Sequence, residues 1–218
     1  WLLATGCWLL ASCGENHLEV DVSDIEMDLV KIERFDRDLF SLNADNISQA
    51  LPQMQKKYPG FTDLFVKNIL CPRGIVDSSC IPEIIRFVTD KDMRGAYEDC
   101  QKVCPEMDLI EEQLSDVFRH YKYYYPHAKL PQVVAMMSGF NYAIAYADTF
   151  LSLGLEMYLG NKNKFYDMYQ FPNYKRVNMR KEYIVKDLVY AWMARVFPEK
   201  GKSGTLLNEM IYQGKLLY

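Results

Sequence analysis

The chain has 218 residues, with 25 Lys and Arg against 29 Asp and Glu, so its net charge is -4 and its isoelectric point is near 5.5. That balance leaves no basic footprint for nucleic acid. Hydrophobic residues make up 50% and charged ones 25%, an ordinary globular composition in which 16 tyrosines and 11 phenylalanines suit core and surface packing better than a carbohydrate platform.

Residues 1–12 carry no charge and run apolar for the length of a secretory signal's hydrophobic region, too short to span a bilayer. Leu10-Ala11-Ser12-Cys13 then reads as a lipobox, small residues ahead of a cysteine that receives a diacylglyceryl group. Residues 1–12 are thus read as a lipoprotein signal peptide truncated at its start, and Cys13 as the lipidated first residue of the mature chain. Cys7, after Ala4, Thr5 and Gly6, is a weaker second candidate. Two or three acyl chains hold a protein on a membrane without any transmembrane helix. Gly14, rather than Asp, follows Cys13 and leans away from inner-membrane retention, while Glu15, Glu19 and Asp21 fit either a surface-export mark or a plain acidic tether. Residues 13–26 are read as that tether and 27–218 as one domain.

Within the domain, Asp28 to Asp36 alternates as a strand does, and Ile47, Leu51, Met54 and Tyr58 mark a helix ended by Tyr58-Pro59-Gly60-Phe61. Ile110, Leu114, Val117, Phe118 and Tyr121 share one helical face, with Pro126 barring continuation. Gln132 to Met137 reads as a strand, Ser138 to Asn141 as a turn, Tyr142 to Ala147 as a second strand, and the alternating Leu151 to Leu159 as a third. Past a loop containing Pro172, Ile184, Leu188, Trp192 and Val196 make a helical stripe that ends at Pro198. Gly201-Lys-Ser-Gly204 is a short link, after which Thr205 caps a helix with Leu206, Leu207, Met210, Ile211 and Gly214 along its buried side. The sum is an α+β fold, mostly helical around a meander of about three strands. Leu216-Leu217-Tyr218 stops inside an apolar stripe without a cap, so a C-terminal part is expected to be missing.

Four further cysteines, Cys71, Cys80, Cys100 and Cys104, allow three disulfide connectivities, and the local one, Cys71 with Cys80 and Cys100 with Cys104, closes the shortest loops. Free thiols are a second reading. A zinc site is a third and weaker one, because C-x8-C and C-x3-C are not zinc-knuckle spacings. Asp148, Glu156 and Asp187 are candidates for paired carboxylates, set against solvated or structural roles. There is no G-x-S-x-G, phosphate-binding loop or G-x-G-x-x-G.

The last helix invites comparison with H-E-x-x-H, where two imidazoles four residues apart hold Zn²⁺ and the glutamate activates its water. Glu209 is in register, but Asn208 and Tyr212 stand at the ligand positions, and neither an amide nor a phenol with a pKa of about 10 replaces imidazole. The three histidines, His17, His120 and His127, lie elsewhere, and no metal or cofactor is assigned.

Several segments together resemble the gliding-motility lipoprotein GldB family: Lys31-Ile-Glu-Arg-Phe-Asp-Arg-Asp-Leu-Phe40, the Tyr58-Pro59 break, Tyr121 to Pro126, Met137-Ser-Gly-Phe-Asn141, Leu153-Gly-Leu-Glu-Met-Tyr-Leu-Gly160 and Leu206-Leu-Asn-Glu-Met-Ile-Tyr-Gln-Gly-Lys215. The resemblance spans essentially the whole mature chain. It implies a periplasm-facing lipoprotein of a Gram-negative envelope, associated with gliding and type IX secretion; with Gly14 after Cys13, the expected place is the outer membrane, on its periplasmic or surface face. It also implies a zincin-like fold whose ligand positions are degenerate at Asn208-Glu209-Met210-Ile211-Tyr212, hence a non-catalytic scaffold with an envelope protein partner. A divergent hydrolase using Glu209 is the alternative. By the same resemblance, the strand from Leu151 to Leu159 either pairs its edge with a peptide or simply builds the core.

Overall fold

The computed structural model describes residues 20–71, 78–199 and 205–217. The expected signal segment, Cys7, Cys13, His17 and the Gly201-Lys-Ser-Gly204 link lie outside the described residues. A three-residue strand, β1 (Ile32–Arg34), runs directly into α1 (Phe35–Phe40), followed by α2 (Ile47–Lys57), α3 (Phe61–Phe65), α4 (Ile81–Thr89), α5 (Lys91–Val103) and α6 (Asp108–Tyr124). Three more strands, β2 (Gln132–Met136), β3 (Ile144–Ala147) and β4 (Phe150–Gly154), precede α7 (Lys164–Met168), α8 (Asn173–Arg176), α9 (Ile184–Val196) and α10 (Leu206–Leu217).

The α+β class holds, as do the helices with clear stripes. Ile47, Leu51, Met54 and Tyr58 are buried, as are Leu114 and Phe118 of α6 and Ile184, Leu188 and Trp192 of α9. The break at Tyr58-Pro59 is completed by Gly60 at φ 80°, a left-handed conformation suited to glycine. The expectations contained neither α4 nor α5. Asp90 separates them, and its carboxylate caps α5 by accepting from the Asp92 and Met93 N–H groups at 2.9 Å.

The expected meander is not what forms. The sheet order is β1-β2-β4-β3, with β1 parallel to β2, β2 parallel to β4, and β3 antiparallel to β4. Only β3 and β4 make a hairpin. β2 and β4 are the inner strands because every residue from Val133 to Met136 and from Phe150 to Gly154 is buried, so both their faces are covered. The connection from β1 to its parallel neighbour β2 takes all of α1 to α6. The long alternation from Leu151 to Leu159 divides into β4 and a 3-10 turn over Leu155–Tyr158, and the expected strand from Asp28 shrinks to β1. That short edge strand is covered by polar groups of α6. Glu111 Oε1 accepts from the Ile32 N–H at 2.9 Å, and Ser115 Oγ accepts from the Val30 N–H at 2.8 Å.

The expected disulfides are absent. None of Cys71, Cys80, Cys100 and Cys104 is in a disulfide, and all four are buried. Short sequence separation does not aim two Cβ atoms at each other. Cys100 points its Sγ to within 3.6 Å of Met137 Sδ, and burial raises the thiols of Cys100 and Cys104 above their usual range.

One side chain ties the end of β2 to the end of β4. The Glu156 carboxyl is fully buried, and its Oε1 accepts from the Ser138 N–H at 2.5 Å, the Ser138 hydroxyl at 2.6 Å and the Phe140 N–H at 3.0 Å. The turn it gathers is strained: Phe140 sits at φ 62°, which costs an L-residue about 1–2 kcal/mol. Glu156 Oε2 has no partner, and burial raises the carboxyl above the ordinary range against the opposing pull of its donors. On the same turn the Tyr142 carbonyl approaches β4 so closely that a Cβ on Gly154 would lie 2.1 Å from it.

Gly154→Ala therefore forces backbone apart, and a loss of about 3 kcal/mol is expected in thermal or urea unfolding. Glu156 makes a separate prediction about pH. Its folded-state pKa is raised above the ordinary 4.5, so its contribution is fully present below that value and is lost as pH rises through the folded pKa. Glu156→Gln keeps an acceptor without a charge, and is expected to flatten this decline in unfolding free energies measured from about pH 4 to 8.

Candidate docking groove

α9 is apolar on two faces. Ile184, Leu188 and Trp192 pack inward, where the helix meets β3, β4 and α6. One position along, Val185, Val189, Met193 and Val196 form a second stripe that is only half-buried. A helix apolar on two faces is covered on both in a large protein core. Here the second stripe is the floor of an open groove of about 1760 Å³ between α6, α9 and α10. Leu109 and Val117 of α6 and Ile211 and Leu216 of α10 add apolar walls. Around them stand Glu112, Asp116, Glu182 and Glu199 against Lys186 and Lys215, so the rim is acidic on balance.

α10 is held to α9 chiefly by polar tips. The Tyr212 hydroxyl donates to the Phe197 carbonyl at 3.1 Å, and the Tyr190 hydroxyl donates to Gln213 Oε1 at 2.5 Å. The expected inward face of α10 is corrected by this arrangement. Leu206, Leu207, Met210 and Ile211 are 77%, 64%, 62% and 48% exposed, and Gly214 is exposed with them. Periodicity groups residues on one face, but where a neighbour lies is set by the tertiary fold. Thr205 does cap the helix as expected, its Oγ1 lying 3.4 Å from the Asn208 N–H.

The degenerate ligand positions sit on this groove. Asn208 and Tyr212 both line it, while Glu209 is exposed and accepts from Gln213 Nε2 at 2.7 Å. The strand expected to pair with a peptide, β4, has no edge to offer. Both edges of β4 are taken, by β2 and β3, and the helix on that strand is α9; the strand builds the core. The three candidate carboxylates are not brought together. Asp148 is exposed in the β3–β4 hairpin, Glu156 is in the core, and Asp187 accepts from the Tyr158 hydroxyl at 2.9 Å, with burial raising its pKa. His120 Nδ1 lies 2.9 Å from the Asp116 carbonyl on its own helix, and His127 is exposed. Among the described residues no group of three or more His, Cys, Asp or Glu is placed to hold a metal ion.

The groove itself escaped sequence reading, although its signal was present: Val185, Val189 and Met193 repeat the inward stripe one residue later. What this arrangement offers is apolar area with charged margins rather than an activated nucleophile or a proton relay. Among family models, the one described as gliding motility protein GldB matches residues 15–218. No curated protein and no solved structure matches the chain.

If polar tips fix α10, Tyr212→Phe should loosen it by about 1 kcal/mol, read as a roughly fivefold rise in amide exchange confined to α10. Glu209→Gln should leave that exchange within twofold, since the Glu209 carboxylate is exposed and pairs with Gln213 on its own helix.

Proposed function

The chain belongs to the gliding motility GldB family, and from that premise we propose a non-catalytic lipoprotein, anchored through Cys13 in the outer membrane, that holds an envelope protein partner in the α6–α9–α10 groove. The observation that carries this reading is the second apolar stripe of α9, Val185, Val189 and Met193, left open beneath an acidic rim. Burying such a stripe contributes about 25 cal/mol per Å² of apolar surface removed from water. The rim favours a partner segment that is apolar on one side and basic at its margins, since opposite charge across an interface steers association. Anchoring by lipid is compatible with the chain, because among the described residues no helix is long and apolar enough to cross a membrane.

Asn208 and Tyr212 support the non-catalytic half of the proposal. They face the groove four residues apart, as the ligands of a zincin helix would, and neither supplies an imidazole. On this reading the domain is zincin-like in descent, and the cleft has passed from chemistry to binding.

Two substitutions separate binding from anchoring. Met193→Asp, with Glu112→Lys as a surface variant that spares the core, is expected to abolish restoration of gliding and secretion in a deletion strain at unchanged protein level. A photo-crosslinker at Val189 should meanwhile capture one envelope protein through a segment bearing Lys or Arg. Full restoration by both variants overturns the groove assignment, and tightly bound zinc with a hydrolysis abolished by Glu209→Gln overturns the non-catalytic one. Cys13→Ala is expected to stop fatty-acid labelling, and persistent labelling would move the anchor to Cys7.

A further inference from the structure

The chain has no acidic residue between Asp116 and Asp148, a stretch that includes the exposed end of α6. In this stretch Arg119, Lys122 and Lys129, with His120 and His127, surround three consecutive tyrosines. Tyr123, Tyr124 and Tyr125 are 46%, 57% and 46% exposed, an unusual outlay of aromatic surface for a helix end. Tyr125 is braced from within, while Tyr123 and Tyr124 meet each other edge to face at 5.0 Å. Trp192 packs on Tyr121 at 4.6 Å, Tyr121 stacks on Tyr125 at 4.9 Å, and Tyr125 meets the half-exposed Phe197 at 5.6 Å. Lys122 fixes the following loop by donating to the Ala128 carbonyl at 2.6 Å. The tip is therefore an exposed aromatic and basic surface, fixed at Tyr125 and at the Ala128 loop.

Its position relative to the N-terminal segment is the second observation. Val20 and Val22 share a shallow crevice with Asp116 and Arg119, and Val22 is buried, so the first described residues lie against the C-terminal half of α6. Arg119 and Tyr124 are five residues apart, about 7.5 Å along the helix. Cys13 is seven residues before Val20, at most about 25 Å of chain. A lipid on Cys13 thus holds the tyrosine tip within reach of the headgroup layer.

We propose that the tip from Tyr123 to Lys129 docks on the phospholipid headgroups of the membrane that carries the Cys13 anchor, and so sets the domain's orientation. This rests on the anchoring proposed above. Tyrosine rings settle at the water–lipid boundary, where the ring is half in hydrocarbon and the hydroxyl stays wet, and each nearby Lys or Arg adds about 1 kcal/mol at an anionic surface. The acyl chains supply attachment, and the tip supplies direction.

The test uses the full chain, expressed with its N-terminal segment and purified from the cell envelope, reconstituted into vesicles of phosphatidylethanolamine and phosphatidylglycerol, with hydroxyl-radical footprinting of tyrosine. Tyr174 on α8, 74% exposed, serves as the internal reference. Oxidation of Tyr123, Tyr124 and Tyr125 relative to Tyr174 is expected to fall at least threefold in vesicles compared with detergent solution, and Lys129→Glu should halve that protection. Mass measurement of the same sample reports the lipid on Cys13. Lipidated protein with an unprotected tip overturns the tip and leaves the anchor. Unlipidated protein with a protected tip overturns the anchor and keeps the tip, and loss of both overturns both. Protection that persists in detergent and grows with protein concentration assigns the tip to a second copy of the chain instead.

Discussion

The fold turns on a carboxyl group placed where carboxyl groups are costly. Glu156 is sealed in the core, yet it meets two backbone N–H groups and one hydroxyl of the turn after β2. That turn contains Gly139 and Phe140, both at positive φ, and without the clamp Phe140 would have little reason to stay there. Holding the turn brings the Tyr142 carbonyl against Gly154, which aligns β3 with β4 and leaves β4 between β3 and β2. The same residue's carbonyl accepts from the Tyr166 hydroxyl at 3.0 Å, which joins α7 to the sheet. Loss of the carboxyl would therefore leave two buried N–H donors unpaired, each costing about 1–3 kcal/mol, while the Ser138 hydroxyl could still donate to the Tyr142 carbonyl.

How much of this was legible depended on whether the information was local. α2, α6 and α9 could be read because each turns a regular stripe toward one core, and Ile184, Leu188 and Trp192 are all within a few per cent of full burial. The sheet order could not be read, because a five-residue strand buried on both faces carries no sign of which partner flanks it. The alternation from Leu151 to Leu159 misled for a related reason: a 3-10 turn following a strand keeps placing apolar residues inward, so the pattern outlasts the strand. Glu156 was visible as a carboxylate, but its role required knowing that Ser138, eighteen residues away, would meet it. The outward turn of Leu206, Leu207 and Met210 was hidden in the same way, since it depends on where α9 lies.

α9 serves two surfaces of the molecule. Its inner stripe carries Trp192 into the aromatic chain that stiffens the end of α6, and its outer stripe forms the groove floor. Asp116 lies on both the groove rim and the crevice that receives Val20 and Val22. The groove and the crevice therefore share one helix, α6, as a common wall.

The buried sulfurs have a consequence for how the core meets oxidants. Cys100 and Cys104 sit near the end of α5 as thiols with raised pKa, and Cys100 is shielded by Met137. Thiolate is the form that reacts, so a thiol held protonated inside a packed core takes little part in exchange with soluble oxidants. At Cys100 and Cys104 the core is thus held by packing, with no covalent link between them to form or break.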